Sequence, residues 1–223
     1  MKLSLSKKLF FGASLLVGIP LIVSILISED KSSTALEDSA TDGLIFGAEK
    51  ISILADSIVK DHVAMISTLS CSRENLREIH QFTKDPDGYT NDSRKDIQEL
   101  MMHQLMSLGD ECRGLWLANN QGRIFVGVTR KGDMEENNDV DVSDRDYLKQ
   151  VLATKKTSYS DAILSKTTHK PIMVLAAPVF NSSGKLEGVM GLDISLDFFV
   201  NMIAKQKVGE TGYAYIMNQR GQL

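Results

Sequence analysis

The side chains that most often carry catalytic chemistry are scattered through this sequence of 223 residues. No histidine has a partner at metal-binding spacing, and there is no HExxH motif. The serines form no GxSxG motif, and the glycines form no phosphate-binding loop. The sequence therefore predicts a protein that is not an enzyme, with no catalytic residue, no metal site and no cofactor.

Two charged residues suggest binding instead. Asp193 ends the apolar run VMGLDI, and burial of an unpaired carboxylate costs several kcal/mol. It therefore either contacts a ligand or caps the helix predicted to begin near residue 195. Arg145 lies between Asp144 and Asp146, so it either binds a ligand or forms a local ion pair.

Four further residues are candidates for the same site. Tyr147 and Trp116 are large aromatic side chains that either line a pocket or pack in the core. Asp161 and Lys166 belong to a polar stretch that precedes a predicted strand at residue 172. They either supply polar groups to a ligand or form a solvated connection between strands.

The two cysteines, Cys71 and Cys112, are far apart and match no zinc or redox motif. They either form a disulfide or remain reduced thiols, because pairing depends on a Cα separation that the sequence does not fix.

The distribution of charge excludes one class of partner. The net charge is −4 and the first 28 residues contribute three lysines, so the remainder carries −7. Nucleic-acid binding needs a basic face, and an acidic chain is not expected to have one. The hydrophobic content of 43% and the charged content of 24% are those of a globular domain rather than a disordered chain.

An uncharged apolar segment near the N-terminus predicts a membrane anchor. Residues 9–28 are long enough to span a bilayer as a helix. Lysines precede this segment and two acidic residues follow it, so the positive-inside rule predicts a cytoplasmic tail at 1–8 and the remainder outside the cytoplasm. The apolar run is longer than that of a cleaved signal peptide. We therefore expect an uncleaved anchor in the cell inner membrane.

The remaining patterns predict an α+β domain. Apolar residues at helical spacing indicate a long stalk helix over 29–83, followed by a second helix over 93–108. Later segments predict a β-hairpin, a short helix at 146–153, an antiparallel pair covered on both faces and a helix at 195–205. The strands are expected at 115–118, 123–129, 158–163, 172–180 and 186–194. A further strand at 212–218 has no partner in this sequence, so the domain is expected to be truncated.

Four blocks of this sequence resemble the double Cache sensor domains, which are PAS-like periplasmic sensors of bacterial methyl-accepting chemotaxis receptors. The blocks are DVSDRDYLKQVL at 141–152, SDAILSKTTHKPIMVLAAPVF at 160–180, GKLEGVMGLDISLD at 184–197 and KVGETGYAYIMNQRG at 207–221. The resemblance implies a membrane-distal PAS-like module at 84–206 and the start of a membrane-proximal module at 207–223.

The resemblance also implies a ligand site in the distal module. Amino-acid-binding members of the family carry an Arg-x-Trp-Tyr element, and Arg145 occupies its arginine position, where it would clamp a ligand carboxylate. Asp193 matches the aspartate that receives a ligand ammonium group. Tyr147, Leu148 and Ile163 stand where those members have Trp, Tyr and Tyr. The ligand class therefore stays open among amino acids, carboxylates and amines.

These features predict the ligand-sensing part of a chemotaxis or other signal-transduction receptor that forms a homodimer through its long helix. Related sensor domains also occur on histidine kinases and diguanylate cyclases, which are alternative outputs. A membrane-tethered binding protein that does not signal is a further alternative.

Overall fold

The computed structural model describes residues 5–86, 88–130 and 140–205, and within the first helix it describes side chains continuously from residue 37 onward. The chain divides into two compact units, residues 1–52 and 53–223. A polar loop is predicted over 131–144, and its first nine residues, 131–139, lie outside the described residues, as does the predicted strand at 212–218. The elements are α1 (Leu5–Ser70), α2 (Arg73–Lys84), α3 (Asn91–Ser107), β1 (Cys112–Asn119), β2 (Arg123–Thr129), β3 (Val140–Asp141), α4 (Asp146–Thr154), β4 (Ser158–Tyr159), β5 (Ile163–Leu164), β6 (Pro171–Phe180), β7 (Leu186–Ser195) and α5 (Leu196–Ala204).

The long N-terminal helix ends earlier than the sequence predicts. α1 stops at Ser70, and α2 begins after Ser72, whose side chain accepts a hydrogen bond from the backbone N–H of Asn75. This is an N-cap, which satisfies one of the free donors at a helix start. The predicted stalk over 29–83 is therefore two helices.

Among the residues whose side chains are described, no helix has the length and apolar character needed to cross a membrane. Apart from Ser24, the side chains of the predicted anchor at 9–28 fall outside that part of the chain. The anchor thus remains a prediction.

The sheet is antiparallel, with strand order β3-β2-β1-β7-β6-β4, and β5 also pairs with β6. The predicted hairpin is confirmed, since β1 and β2 pair across a turn that ends at Gly122. Gly122 has a φ of +88°, a conformation that favours glycine. The pairing of β6 with β7 is also confirmed and runs from Ile172↔Ser195 to Phe180↔Leu186.

The two faces of the sheet pack in different ways. One face packs against the helices α1 from residue 53, α2 and α3, in a core that includes Ile66, Ile79, Met101, Leu117 and Leu192. The other face packs against α4 in a smaller core that includes Trp116, Tyr147, Leu148, Val174 and Val189. Because side chains alternate along a strand, β6 and β7 are buried on both sides, as their continuous apolar runs predict.

Two further expectations are resolved by the fold. The segment predicted as one strand at 158–163 forms two short strands, β4 and β5. Cys71 is exposed, Cys112 is buried and both thiols are free, so the disulfide alternative is not realised.

Candidate functional site

A small pocket lies on the α4 side of the sheet. Its cavity volume is about 30 Å³, room for one or two water molecules. Apolar side chains from the strands and the segment before α4 form most of its wall, namely Ile124, Val140, Val142, Ile163, Leu164, Ile172 and Val174. A charged group inside such a pocket lowers the stability of the fold unless it is paired, because the apolar wall does not solvate it.

Asp193 supplies such a charged group. It lies on β7, between β1 and β6 in the middle of the sheet, and its Oδ1 accepts a hydrogen bond from the indole Nε1–H of Trp116 at 2.9 Å. Within the described part of the chain this is the one hydrogen bond to the carboxylate. Burial raises the pKa of Asp193 from 3.8 to about 6, and the Trp116 hydrogen bond offsets only part of that rise.

The predicted alternative for Asp193, a helix cap, is wrong. α5 begins at Leu196 and its N-cap residue is Ser195. Asp193 belongs to the strand before that turn, and its side chain faces the pocket.

A glycine on the neighbouring strand provides the space for the Trp116 ring. Gly191 is the cross-strand partner of Trp116, and a methyl group there would overlap the indole ring. The ring therefore lies against bare backbone, with the ring of Tyr147 at 6.3 Å between centroids. Burial, and then the charge of Asp193, raise the pKa of Tyr147. Both aromatic residues are 4% exposed, so each one packs in the smaller core and also lines the pocket.

Two basic residues connect the segments on either side of the pocket. Arg145 donates from Nη2 to the carbonyl of Leu164 at 3.0 Å. Lys166 donates from Nζ to the carbonyl of Asp141 at 2.6 Å and to the carboxylate of Asp144 at 2.7 Å. The Lys166 hydrogen bond lowers the pKa of Asp144. We call this set of contacts the rim clasp, because it ties the segment before α4 to β5 and to the residues that follow β5.

Five of the six predicted site residues line this pocket: Trp116, Arg145, Tyr147, Lys166 and Asp193. Asp161 does not; it is exposed and lies between β4 and β5. The cause is Ser160, whose N–H and Oγ both bond the backbone of Val174 and so hold the chain in an irregular segment between β4 and β5. The apolar wall is not among the predicted site residues, although alternation along β2 and β6 marks Ile124, Ile172 and Val174 as side chains of one face.

A second cleft is larger, about 420 Å³, and its lining is mostly polar or charged. Arg130, one of its lining residues, is engaged elsewhere, since its guanidinium donates to the carbonyls of Leu105, Leu108 and Gly109 at the end of α3. Those contacts cap the helix. The smaller pocket is the better candidate for a ligand, because its lining includes Asp193 and Arg145 and the lining of the larger cleft includes neither.

The family model described as Cache domain matches residues 35–223. The chain belongs to the Cache domain family. The match spans both the helices and the sheet that forms the pocket, and the resemblance on sequence motifs is thereby confirmed.

Individual relatives are distant chemoreceptors. The methyl-accepting chemotaxis protein McpA of Bacillus subtilis is 18% identical over 217 residues, which are 97% of this chain and 30% of McpA. Two structures of the ligand-binding domain of the Campylobacter jejuni chemoreceptor Tlp3, in complex with 4-methylisoleucine and with L-norvaline, are 16% and 14% identical, with TM-scores of 0.54 and 0.51. Each covers 77% of this chain and 64% of the Tlp3 chain. At these identities the structures show a shared fold, and this chain spans less than a third of McpA.

Proposed function

We propose that this Cache domain is the extracytoplasmic small-ligand sensor of a membrane-anchored chemotaxis receptor, without enzymatic activity. The observation that supports this most directly is the Asp193 carboxylate, which lies in an apolar-walled pocket with one donor. A carboxylate kept for structure alone is normally fully paired when buried. A binding partner with a positive charge would complete its hydrogen bonds.

The charges of the pocket suggest the ligand class. Asp193 suits an ammonium group inside the pocket, and Arg145 suits a carboxylate, which its planar guanidinium can bind through two hydrogen bonds. To bind in this way, Arg145 would give up its bond to the Leu164 carbonyl. We therefore propose a small amine or amino acid. The amino acids in the two Tlp3 complexes support this choice.

The cavity is too small for an amino acid in the present conformation, so binding requires the rim clasp to open. The ligand would then stabilise a second arrangement of the segments around the pocket, which is how a binding event becomes a signal.

A thermal-shift screen of the purified 223-residue chain in mild detergent tests ligand binding. A ligand at about 100 times its Kd adds about 2.7 kcal/mol of stability, which raises the melting temperature measurably. We expect amines or amino acids to give this shift in the wild type and not in Asp193→Asn. Asp161→Asn is the matched control, because Asp161 is exposed and does not line the pocket.

Two outcomes would contradict the proposal. A ligand whose shift is lost in Asp161→Asn but kept in Asp193→Asn would place binding outside this pocket. If the folded protein shows no thermal shift with any amine, amino acid or carboxylate, direct sensing of a small ligand is refuted. A membrane-tethered role in binding a partner protein would then be the better hypothesis.

We also propose that residues 9–28 anchor the chain in the inner membrane with the sensor outside. The uncharged length of this segment and the lysines before it support the proposal. Cys71 gives a direct test because it is exposed on the sensor side of the segment, whereas Cys112 is buried. A membrane-impermeant maleimide should label spheroplasts that carry the wild type and not those that carry Cys71→Ser. Labelling that appears only after lysis would place the domain in the cytoplasm.

Exposed apolar side chains on α1 support a homodimer through this helix. Phe46 in the first unit is 59% exposed, and Ile53 in the second is 63% exposed. Apolar surface of this kind is typical of interfaces. The wild type should therefore have twice the monomer mass of 24.6 kDa by light scattering, and Phe46→Asp should shift it toward the monomer. A wild type that is monomeric at all concentrations would refute this interface.

A further inference from the structure

A cluster of three metal-ligating side chains lies on the helix side of the sheet, away from the pocket. It contains His62 from α1, Glu111 from the turn before β1, and Cys112, the first residue of β1. One ligand atom from each residue lies within 4.8 Å of the others, and His62 Nε2 is 3.1 Å from Glu111 Oε1. The spacing along the sequence gives no sign of this cluster, because the fold brings α1 to the start of β1.

One ring nitrogen of His62, Nε2, has no hydrogen-bond partner among the described residues. Its Nδ1 is 2.7 Å from the carbonyl of Ile58, and a carbonyl only accepts, so Nδ1 carries a proton. In the neutral ring Nε2 then presents a lone pair, and it has no hydrogen-bond partner within the described part of the chain although the side chain is 6% exposed. Glu111 Oε1 lies 3.1 Å from Nε2 without hydrogen-bond geometry, and the Cys112 sulfur lies within 4.8 Å, so two further electron-rich atoms are close to this lone pair.

That arrangement is what a metal-binding histidine requires. Metal-ligating histidines almost always donate their second ring N–H to a carbonyl or carboxylate, which fixes the tautomer and the ring orientation. In His62 the Ile58 carbonyl has this role.

We propose that His62 Nε2, the Glu111 carboxylate and the Cys112 sulfur bind a divalent transition-metal ion of the Zn²⁺ class. Imidazole, carboxylate and thiolate are the three protein ligand types of Zn²⁺, and three protein ligands leave a fourth position for water. Glu111 is 15% exposed, so the ion has access from solvent on that side. A thiol binds such an ion as the thiolate, so the bound ion displaces the Cys112 proton to water and binding weakens as the pH falls.

The test uses Co²⁺, whose bond to a thiolate gives a charge-transfer absorption in the near ultraviolet. The chain has two cysteines, so Cys71→Ser leaves Cys112 as its single thiol and removes any ambiguity about the ligand. We expect this variant, as full chain in detergent, to bind about one Co²⁺ per chain with a thiolate band, and Zn²⁺ to abolish the band by displacing Co²⁺.

Ligand variants give the second arm. His62→Gln and Cys112→Ser each remove one proposed ligand. Each variant should bind Co²⁺ about 100-fold or more weakly than the parent, since even loss of a group that only orients a ligand costs about 10–100-fold in affinity. His80→Gln is the matched control because His80 is exposed and lies outside the cluster.

The Cys71→Ser arm does not depend on whether the ligand variants fold. If that variant is folded by circular dichroism and shows no thiolate band, the proposal is overturned and the cluster is a His62–Glu111 ion pair. Unchanged Co²⁺ affinity in a folded Cys112→Ser variant would overturn it as well.

Discussion

Replacement of Asp193 by Asn should stabilise the unliganded domain at neutral pH. In the folded protein the pKa of Asp193 is about 6, against an ordinary value of 3.8. The folded state thus holds this proton more tightly than the unfolded state. Stability contributed by the protonated carboxyl is complete below about pH 4 and is lost as the pH rises through about 6.

The magnitude follows from the two pKa values. At 1.36 kcal/mol for each pKa unit, the difference between 3.8 and about 6 corresponds to a loss of about 3 kcal/mol above pH 6. Asn has no charge to bury, and its Oδ1 can still accept the hydrogen bond from Trp116. The free energy of unfolding of Asp193→Asn should therefore exceed that of the wild type by up to about 3 kcal/mol at about pH 7.5, and by little at about pH 4.

Urea denaturation of both proteins at several pH values between about 4 and 8 measures this difference. Other carboxyl groups titrate alike in the two proteins, so their contributions cancel. Asp161→Asn is the control, because Asp161 is exposed and lies outside the helices, and it should give a difference close to zero throughout. A difference between Asp193→Asn and wild type that does not change with pH would refute the reasoning, because it would mean that Asp193 is not an uncompensated buried charge.

Three further substitutions probe the packing around the site. Gly191→Ala should cost about 1–3 kcal/mol of stability, because the added methyl group displaces the ring of Trp116; a urea midpoint equal to that of the wild type would contradict the close contact. Tyr89→Phe should cost about 1–3 kcal/mol in the same assay, because it removes the donor to the buried carboxylate of Glu78. Ser72→Ala should cost about 1 kcal/mol by loss of the α2 N-cap, and a neutral effect would mean that α2 does not depend on that cap.

Much of the sheet follows from the sequence because its signals are local. The apolar runs of β6 and β7 flank a short polar turn, and both faces of these strands are buried as their composition predicts. α4 begins at Asp146, where its pattern predicts it. Three of the predicted site residues, Trp116, Tyr147 and Asp193, lie together because they belong to such elements.

The remaining differences arise where a side chain bonds the backbone. α1 ends at Ser70 although the apolar periodicity continues past it, because the Ser72 side chain accepts a hydrogen bond that starts a new helix. Ser160 bonds the neighbouring strand at both its N–H and its Oγ, and this interrupts the two-residue period of the strand. Asp161 consequently lies in solvent. A single sequence gives no reliable sign of either bond, since serine is common in caps, turns and strand irregularities alike.

The hydrogen bond from Trp116 to Asp193 gives this protein an intrinsic optical probe. Trp116 is its single tryptophan, and its indole N–H is bonded to the carboxylate that faces the pocket. Indole emission responds to a charge at its N–H and to the water around it. Fluorescence of the unlabelled protein should therefore record both the protonation of Asp193 and the arrival of a cationic ligand, in real time and without a reporter group.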